Sequence, residues 1–258
     1  MKHLSAVLRL WQLLLHLLSG LWTLKRDFPR LGAAERDRAV QAWSARALRL
    51  LGVELVSSGS PPPAGPLLVV ANHVSWLDIL VINASRPCRF VAKADVQAWP
   101  LIGTLVAAAG TLFIERERRR DAVRVVHHLA EQLQAGGILA VFPEGTTSDG
   151  QAVGPFHANL LQAALATDTA VLPLGLSYRR APGRVVDDTA PRHPGPVYTG
   201  DTTLLASIWH TLSATDLQAR LCWGEPERAD GRDRRTWSQA LRGTVARLAD
   251  VPLLDNQA

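Results

Sequence analysis

At 258 residues, with a mixed composition and 47% hydrophobic residues, the chain is long enough for an α/β domain with a real core, and its composition is not that of a fibrous or disordered protein. Its two cysteines, Cys88 and Cys222, give no metal-ligand spacing and no disulfide framework, which suits a reducing compartment. The net charge of +5 is concentrated: residues 1–50 hold nine Lys/Arg against three Asp/Glu, a net +6, so the remainder is near neutral at −1. That charge is interleaved with leucine and tryptophan rather than laid out as a solvated arm, which argues for an anionic membrane surface and against nucleic acid.

Residues 4–24, LSAVLRLWQLLLHLLSGLWTL, are long enough to cross a bilayer. Ser5, Arg9, Gln12, His16, Ser19 and Thr23 recur at spacings of four and three and gather into one narrow stripe of a helix, with leucines, Trp11 and Trp22 around the rest. With the basic flank KRDFPR this predicts a helix held at a membrane interface; a tilted spanning helix with Arg9 snorkelling is the alternative. A cleaved secretory signal is disfavoured, because no A-x-A-like site follows. Residues 35–51 predict a second amphipathic helix, with Ala39, Trp43, Ala47, Leu50 and Leu51 at helical spacing among Arg36, Arg38, Arg46 and Arg49. The two read as a membrane-docking hairpin, assigned to residues 1–56, with two helices packed on the protein's own core as the alternative. SSGSPPPAGP at 57–66 reads as a linker or turn, opening a globular domain over 57–258.

From residue 67 onward short apolar runs alternate with helical patterns. LLVVA, RFVA, TLFI, ILAVF, AVLPLGLSY and QARLCW predict strands. DAVRVVHHLAEQLQAGG predicts a helix with Ala122, Val125, Val126, Leu129 and Leu133 on one face and Gly136 as its stop; His127 and His128 fall on its surface. The alternation gives an α/β fold with a mixed, mostly parallel sheet covered by helices and preceded by the amphipathic helical hairpin.

Polar clusters follow several of the predicted strands, where open α/β sheets place their ligands. In NHVSWLD, Ser75 and Asp78 fit a capping box ahead of the apolar run Ile79–Ile82. The same Asp78 can orient His73 if the chain turns between them, leaving the other imidazole nitrogen to take a proton from an alcohol. Asn72 stands beside them at the strand end. In VFPEGTTSDG, Phe142, Pro143, Glu144, Gly145 and Thr146 form a turn whose carboxylate could accept from substrate hydroxyls and whose amides could hold an oxyanion or phosphate. TLFIERERRRD places Arg116 nearest a strand end, where a guanidinium suits a phosphate, and leaves Arg118, Arg119 and Arg120 to the surface. Pro173 interrupts the strand VLPLGLSY and suggests a bend at a cavity. No G-x-S-x-G elbow, P-loop, G-x-G-x-x-G turn or H-E-x-x-H helix occurs, and Ser75 is a poor candidate nucleophile.

NHVSWLD resembles the N-H-x-x-x-x-D motif of the glycerolipid acyltransferases, in particular the 1-acylglycerol-3-phosphate acyltransferases. GTLFIER, FPEGT and VLPL resemble that family's second, third and fourth motifs, in the same order, over roughly residues 67–180. The resemblance implies acyl transfer from acyl-CoA or acyl carrier protein to a free hydroxyl of a lysolipid. It implies His73 as general base, Asp78 as its orienting carboxylate, Glu144 and Gly145 at the acceptor, and Arg116 at its phosphate. It implies no cofactor, no metal and no covalent acyl-enzyme, and a monotopic or single-pass protein on the cytoplasmic face of the bacterial inner membrane. One departure bears on the acceptor. Many lysophosphatidate-using members continue FPEGT with an arginine, where this chain has Thr147. FHANLLQAA at 156–164 also resembles members that acylate lyso-ornithine lipid. Arg116 and the four ordered motifs favour a phosphate, so the expected acceptor is 1-acylglycerol-3-phosphate, with lyso-ornithine lipid as the close alternative. An inactive membrane scaffold and a thioesterase are the readings from other classes.

Overall fold

The computed structural model describes residues 2–62, 64–114, 119–180 and 191–254. Its centre is a seven-stranded sheet. The strands are β1 (Val53–Ser58), β2 (Leu67–Ala71), β3 (Arg89–Lys93), β4 (Leu112–Ile114), β5 (Ile138–Val141), β6 (Val171–Arg180) and β7 (Leu217–Trp223), in the order β1-β7-β6-β2-β5-β3-β4. From β6 to β4 all neighbours are parallel, while β7 runs antiparallel to β6 and parallel to β1. The mixed, mostly parallel sheet expected from the alternation is the one observed.

β2 shows why the sequence folds this way. LLVVA has no polar alternation, because both its faces are covered. Leu67, Val69 and Ala71 enter one core cluster, and Leu68 and Val70 the other. The helices α1 (Lys2–Arg26), α2 (Ala33–Leu51), α3 (Leu77–Ser85), α4 (Ile102–Ala108) and α7 (Leu204–Ser213) are joined in the chain by α5 (Arg119–Gln134), α6 (Gln162–Ala166) and α8 (Arg234–Ala249). The first core cluster holds the buried residues of α1, α2, α3 and α7; the second holds those of α5, α6 and α8. α5 ends as expected, at Gly136 with φ +82°, where Gly136 N–H donates to Leu133 and Gly137 N–H to Gln132. α8 lies so close over β6 that a Cβ on Gly175 would stand 2.2 Å from the Leu248 carbonyl carbon.

Two elements revise the expected layout. Residues 57 and 58 do not begin a linker: they complete β1, whose register runs Val53↔Leu217 to Ser58↔Cys222. A boundary drawn between 56 and 57 therefore cuts a strand, and the edge of the sheet reaches back to Val53 because VELV supplies apolar residues for it. The two N-terminal helices also differ in what they cover. α2 buries Ser44, Ala47, Leu48 and Leu51 in the globular core. α1 turns Ala6, Leu13, His16 and Gly20 toward the protein and keeps Leu4, Leu8, Trp11, Leu15, Leu18 and Trp22 exposed, all on one helical face. Gly20 permits the close approach of α1 to α2, since a Cβ there would meet the Trp43 indole nitrogen at 2.6 Å.

The polar stripe of α1 is thus divided. His16 stacks on Trp43 with ring centroids 4.6 Å apart and bonds its carbonyl at 3.0 Å. Arg9 reaches inward to the Leu212 carbonyl, so it has no need to snorkel. Ser5, Gln12 and Ser19 stay exposed at the border of the apolar face. A face with Trp22 65% exposed and Leu4 77% exposed belongs against lipid, and the helix Leu4–Arg26 is long and apolar enough to cross a membrane.

Candidate active site

The loop between β2 and α3 carries the first constellation. His73 Nδ1 lies 2.8 Å from Asp78 Oδ2, and the same oxygen accepts from Val74 N–H at 2.7 Å and Ser75 N–H at 3.0 Å. Ser75 Oγ accepts from Leu77 N–H. Only half of the expected capping box forms: α3 is capped at Trp76, and Asp78 N–H donates to the Ser75 carbonyl rather than its hydroxyl, while the Asp78 carboxylate takes the Val74 and Ser75 amides and holds the imidazole. Asp78 is wholly buried, whereas the His73 side chain is 19% exposed. A carboxylate accepts only, so Nδ1 carries the proton and Nε2 is left as the basic nitrogen. The ring is also fixed from the side, stacked on Phe142 with centroids 4.0 Å apart and planes 9° apart. Ser75, buried and already engaged, is not a nucleophile.

The FPEGT turn follows β5 directly. Gly145, at φ +73°, lets the chain reverse, and its own N–H is spent on the Phe142 carbonyl within the turn. Glu144 likewise does not reach toward a substrate. It is buried, and its two oxygens accept from His73 N–H at 2.7 Å and Gly154 N–H at 2.8 Å. Burial pushes its carboxyl above the usual range, against the pull of those two amides. Its position is that of a clamp joining the His73 loop to the 154 loop, a link strengthened by Ser148 N–H donating to the His73 carbonyl.

Asn72 and Pro173 also prove to be structural. The Asn72 amide donates to the Leu176 carbonyl and accepts from the Leu176 N–H, both at 2.8 Å, adding one side-chain rung to the β2–β6 ladder. Pro173 pairs opposite Val70, and its carbonyl accepts from Gly224, away from the cavity. Pro143 gives its carbonyl to His157 N–H. Arg116 lies outside the described residues.

His73 opens on a cavity of about 730 Å³. Phe142, Gly145 and Thr146 line it as expected, and Thr147 joins them with its hydroxyl donating to the Tyr198 carbonyl. Asp95, His157, Asn159 and Tyr198 also line it and were not foreseen. His157 and Asn159 fall in FHANLL, which carries a family resemblance; Asp95 lies in a 3-10 turn, Ala94–Ala98, and Tyr198 in a loop, both without a motif. A second cavity of about 430 Å³ sits between α1, α2, α3 and α4 and is almost entirely apolar. Trp76, Ile79, Val96, Trp99 and Val106 line both, so the two spaces adjoin. The arrangement offers an oriented base on a cavity that adjoins an apolar chamber walled in part by α1.

Comparison with known proteins bears on the same residues. The family model described as Acyltransferase matches residues 53–177. The chain is 40% identical over 219 residues to a lyso-ornithine lipid O-acyltransferase of Pseudomonas aeruginosa, covering 82% of this chain and 81% of that one. It is 36% identical over 225 residues to a 1-acyl-sn-glycerol-3-phosphate acyltransferase of Neisseria gonorrhoeae, covering 84% of each. The crystal structure of the 1-acyl-sn-glycerophosphate acyltransferase PlsC from Thermotoga maritima shares the fold, with a TM-score of 0.68 at 20% identity over 97% of both chains.

Proposed function

Because the chain belongs to the acyltransferase family and is a lysolipid acyltransferase, we propose that it moves a fatty acyl group from acyl-CoA or acyl carrier protein to lyso-ornithine lipid, with His73 as general base. The observation that carries the mechanism is the His73–Asp78 pair on a cavity that adjoins an apolar chamber. His73 Nε2 takes the proton of the acceptor hydroxyl as its oxygen attacks the thioester carbonyl. The tetrahedral intermediate then collapses, the C–S bond breaks, and the imidazolium returns the proton to the departing thiolate. The products are an ester and a free thiol. No resident cofactor or metal enters these steps, and the thioester is a substrate.

The apolar chamber gives the acyl chain somewhere to lie. Each methylene kept out of water contributes about 0.8 kcal/mol, so a wall shared with the lipid-facing helix spares the chain a passage through solvent. The proposed donors are cytoplasmic molecules, which supports a reading with the protein at the cytoplasmic face of the inner membrane, docked through α1 with the basic side chains of residues 25–49 toward anionic headgroups.

The acceptor assignment follows Thr147 and the relatives. At the position where a phosphate-binding arginine would stand, the chain has a hydroxyl tied to a loop carbonyl. Lyso-ornithine lipid O-acyltransferases of Brucella abortus and Rhizobium meliloti are 32% and 34% identical to it. The second reading, transfer to 1-acylglycerol-3-phosphate, is favoured by the Neisseria relatives. Full-length protein given labelled acyl-CoA or acyl carrier protein, with each lysolipid in turn and with none, decides among them. The proposal expects acylated lyso-ornithine lipid. Acylation of 1-acylglycerol-3-phosphate alone would establish the second reading. Free fatty acid in the absence of acceptor would make the protein a thioesterase, and no turnover with either lipid would make it a scaffold.

A further inference from the structure

The roles given to His73 and Asp78 leave one neighbouring polar group without a task. Tyr178, on β6, is 3% exposed, and its hydroxyl donates to Asp78 Oδ1 at 2.7 Å. The two carboxylate oxygens are used differently. Oδ2 takes His73 Nδ1 and the amides of Val74 and Ser75, while Oδ1 faces the phenol. The placement is built into the sheet. The Asn72–Leu176 rung fixes the β2–β6 register just where β2 ends, and Tyr178 stands two residues further along the same face of β6, in the same core cluster as Leu174 and Leu176. The phenol therefore lies beneath the loop that carries the base.

We infer that Tyr178 is a positioning residue for acyl transfer, acting through Asp78 to hold the carboxylate's rotation and to moderate the basicity of His73. The inference rests on the reading of His73 as the base. The physics is a three-part chain, Tyr178–Asp78–His73, whose first two members are buried and in which two donors compete for the charge of one carboxylate. A phenol donating to Oδ1 draws negative charge toward that oxygen and weakens the pull of Oδ2 on the imidazole N–H. His73 then binds a proton on Nε2 less tightly and is free to act as base nearer neutral pH. Burial, with the Asp78 charge beside it, pushes the phenol well above its ordinary range, so it remains a donor at any working pH.

Tyr178→Phe deletes only the hydroxyl. We expect kcat to fall about tenfold, the size of a lost hydrogen bond to a charged group, with KM for donor and acceptor within about twofold. The diagnostic readout is the acidic limb of the kcat/KM–pH profile, which should move upward by roughly one pH unit. Replacing Tyr178 by 3-fluorotyrosine, a stronger donor of nearly the same shape, should move the same limb downward. In an Asp78→Asn background neither replacement should move it. Opposite displacements from the two variants cannot come from a packing role. An unmoved limb in both, or displacement in the same direction, overturns the inference while leaving the base assignment intact. Substantial activity in His73→Ala would instead overturn the base assignment itself.

Discussion

The His73 loop and helix α1 treat polar and apolar atoms in opposite ways. In the loop, Asp78 is wholly buried yet accepts from an imidazole, a phenol and two amides, and Glu144 accepts from two more. On α1 the exposed face is built of leucine and tryptophan with Ser5, Gln12 and Ser19 at its border, while Arg9 and His16 are turned inward. One region is specified by satisfied polar contacts inside the protein and tolerates little change. The other is left unsatisfied by the protein and is completed by its surroundings. In the proposed function the first holds the reacting group in place, and the second docks the molecule at the lipid that contains its substrate.

The largest effect expected from breaking this contrast is at His73. His73→Ala removes the base while leaving the Asp78 cap to the Val74 and Ser75 amides intact. Acyl transfer should fall by about 10² to 10⁴-fold, while the fold persists with a loss of stability of no more than about 1.5–3 kcal/mol, the size of one hydrogen bond to a charged group. Retention of more than about a tenth of wild-type turnover would remove His73 from the chemistry. Asp78→Asn should cost less, because an amide can still accept from the imidazole N–H.

The reciprocal change is on α1. Replacing Leu8, Leu15 and Trp22 together by glutamine alters only exposed positions, so folding should be unaffected. Each large apolar side chain is worth about 1.5–3 kcal/mol when buried, and binding to anionic liposomes should fall by well over tenfold. Turnover on detergent-dispersed acceptor should stay near wild type. High salt applied to the unmodified protein should loosen it only partly, because screening leaves apolar insertion in place. A triple variant that sediments with liposomes as well as the parent would refute the docking role of this face.

Within the loop region, Glu144 separates architecture from chemistry. Glu144→Gln leaves one acceptor oxygen where two amides need one each, and should cost about 1–3 kcal/mol of stability, read from chemical denaturation. Its pH dependence has a definite sign. Burial raises the native carboxyl above 4.5, so the folded state keeps this proton when the unfolded state has lost it. The contribution of Glu144 to stability therefore declines as pH rises from 4.5 through the raised native value, and the Gln variant should lack that decline. A variant as stable as the parent would mean the clamp is unimportant.

What the sequence disclosed follows the same division. Six strands, α5 and the His73–Asp78 pair were legible, because apolar runs and short loop spacings are local signals. β1 was missed because Ser57 and Ser58 run into a Gly/Pro-rich segment, and their pairing with β7 lies more than 150 residues away. α8 carried a readable signal, Asp233 capping Arg235 and Thr236 ahead of Trp237, Leu241 and Val245 at helical spacing. Asn72, Glu144 and Pro173 were assigned to substrate because a polar or unusual residue at a strand end suggests a ligand. Only long-range partners, Leu176, Gly154 and Gly224, show that Asn72 and Glu144 hold the frame and that Pro173 is part of it. Tyr178 was invisible for the same reason: a tyrosine ending an apolar strand looks like core until Asp78 is found against its hydroxyl.

The smallest expected effect lies at Thr147, on the wall of the cavity rather than in either region. Its hydroxyl is tied to the Tyr198 carbonyl, and an arginine there would replace that bond with a mobile cation facing a half-open space. Ion pairs in such settings are worth about 0–1 kcal/mol, so changes of no more than about fivefold in KM are expected. Their direction matters more than their size. With lyso-ornithine lipid, Thr147→Arg should raise KM, because a guanidinium is set against the acceptor's ammonium group. With 1-acylglycerol-3-phosphate it should lower KM, because the same cation meets a phosphate. Measuring both acceptors on both proteins gives four constants, and opposite signs show that this residue faces the acceptor's headgroup. Equal displacement of both would place the headgroup elsewhere in the cavity, with His157 and Asn159 on its wall as the next positions to vary.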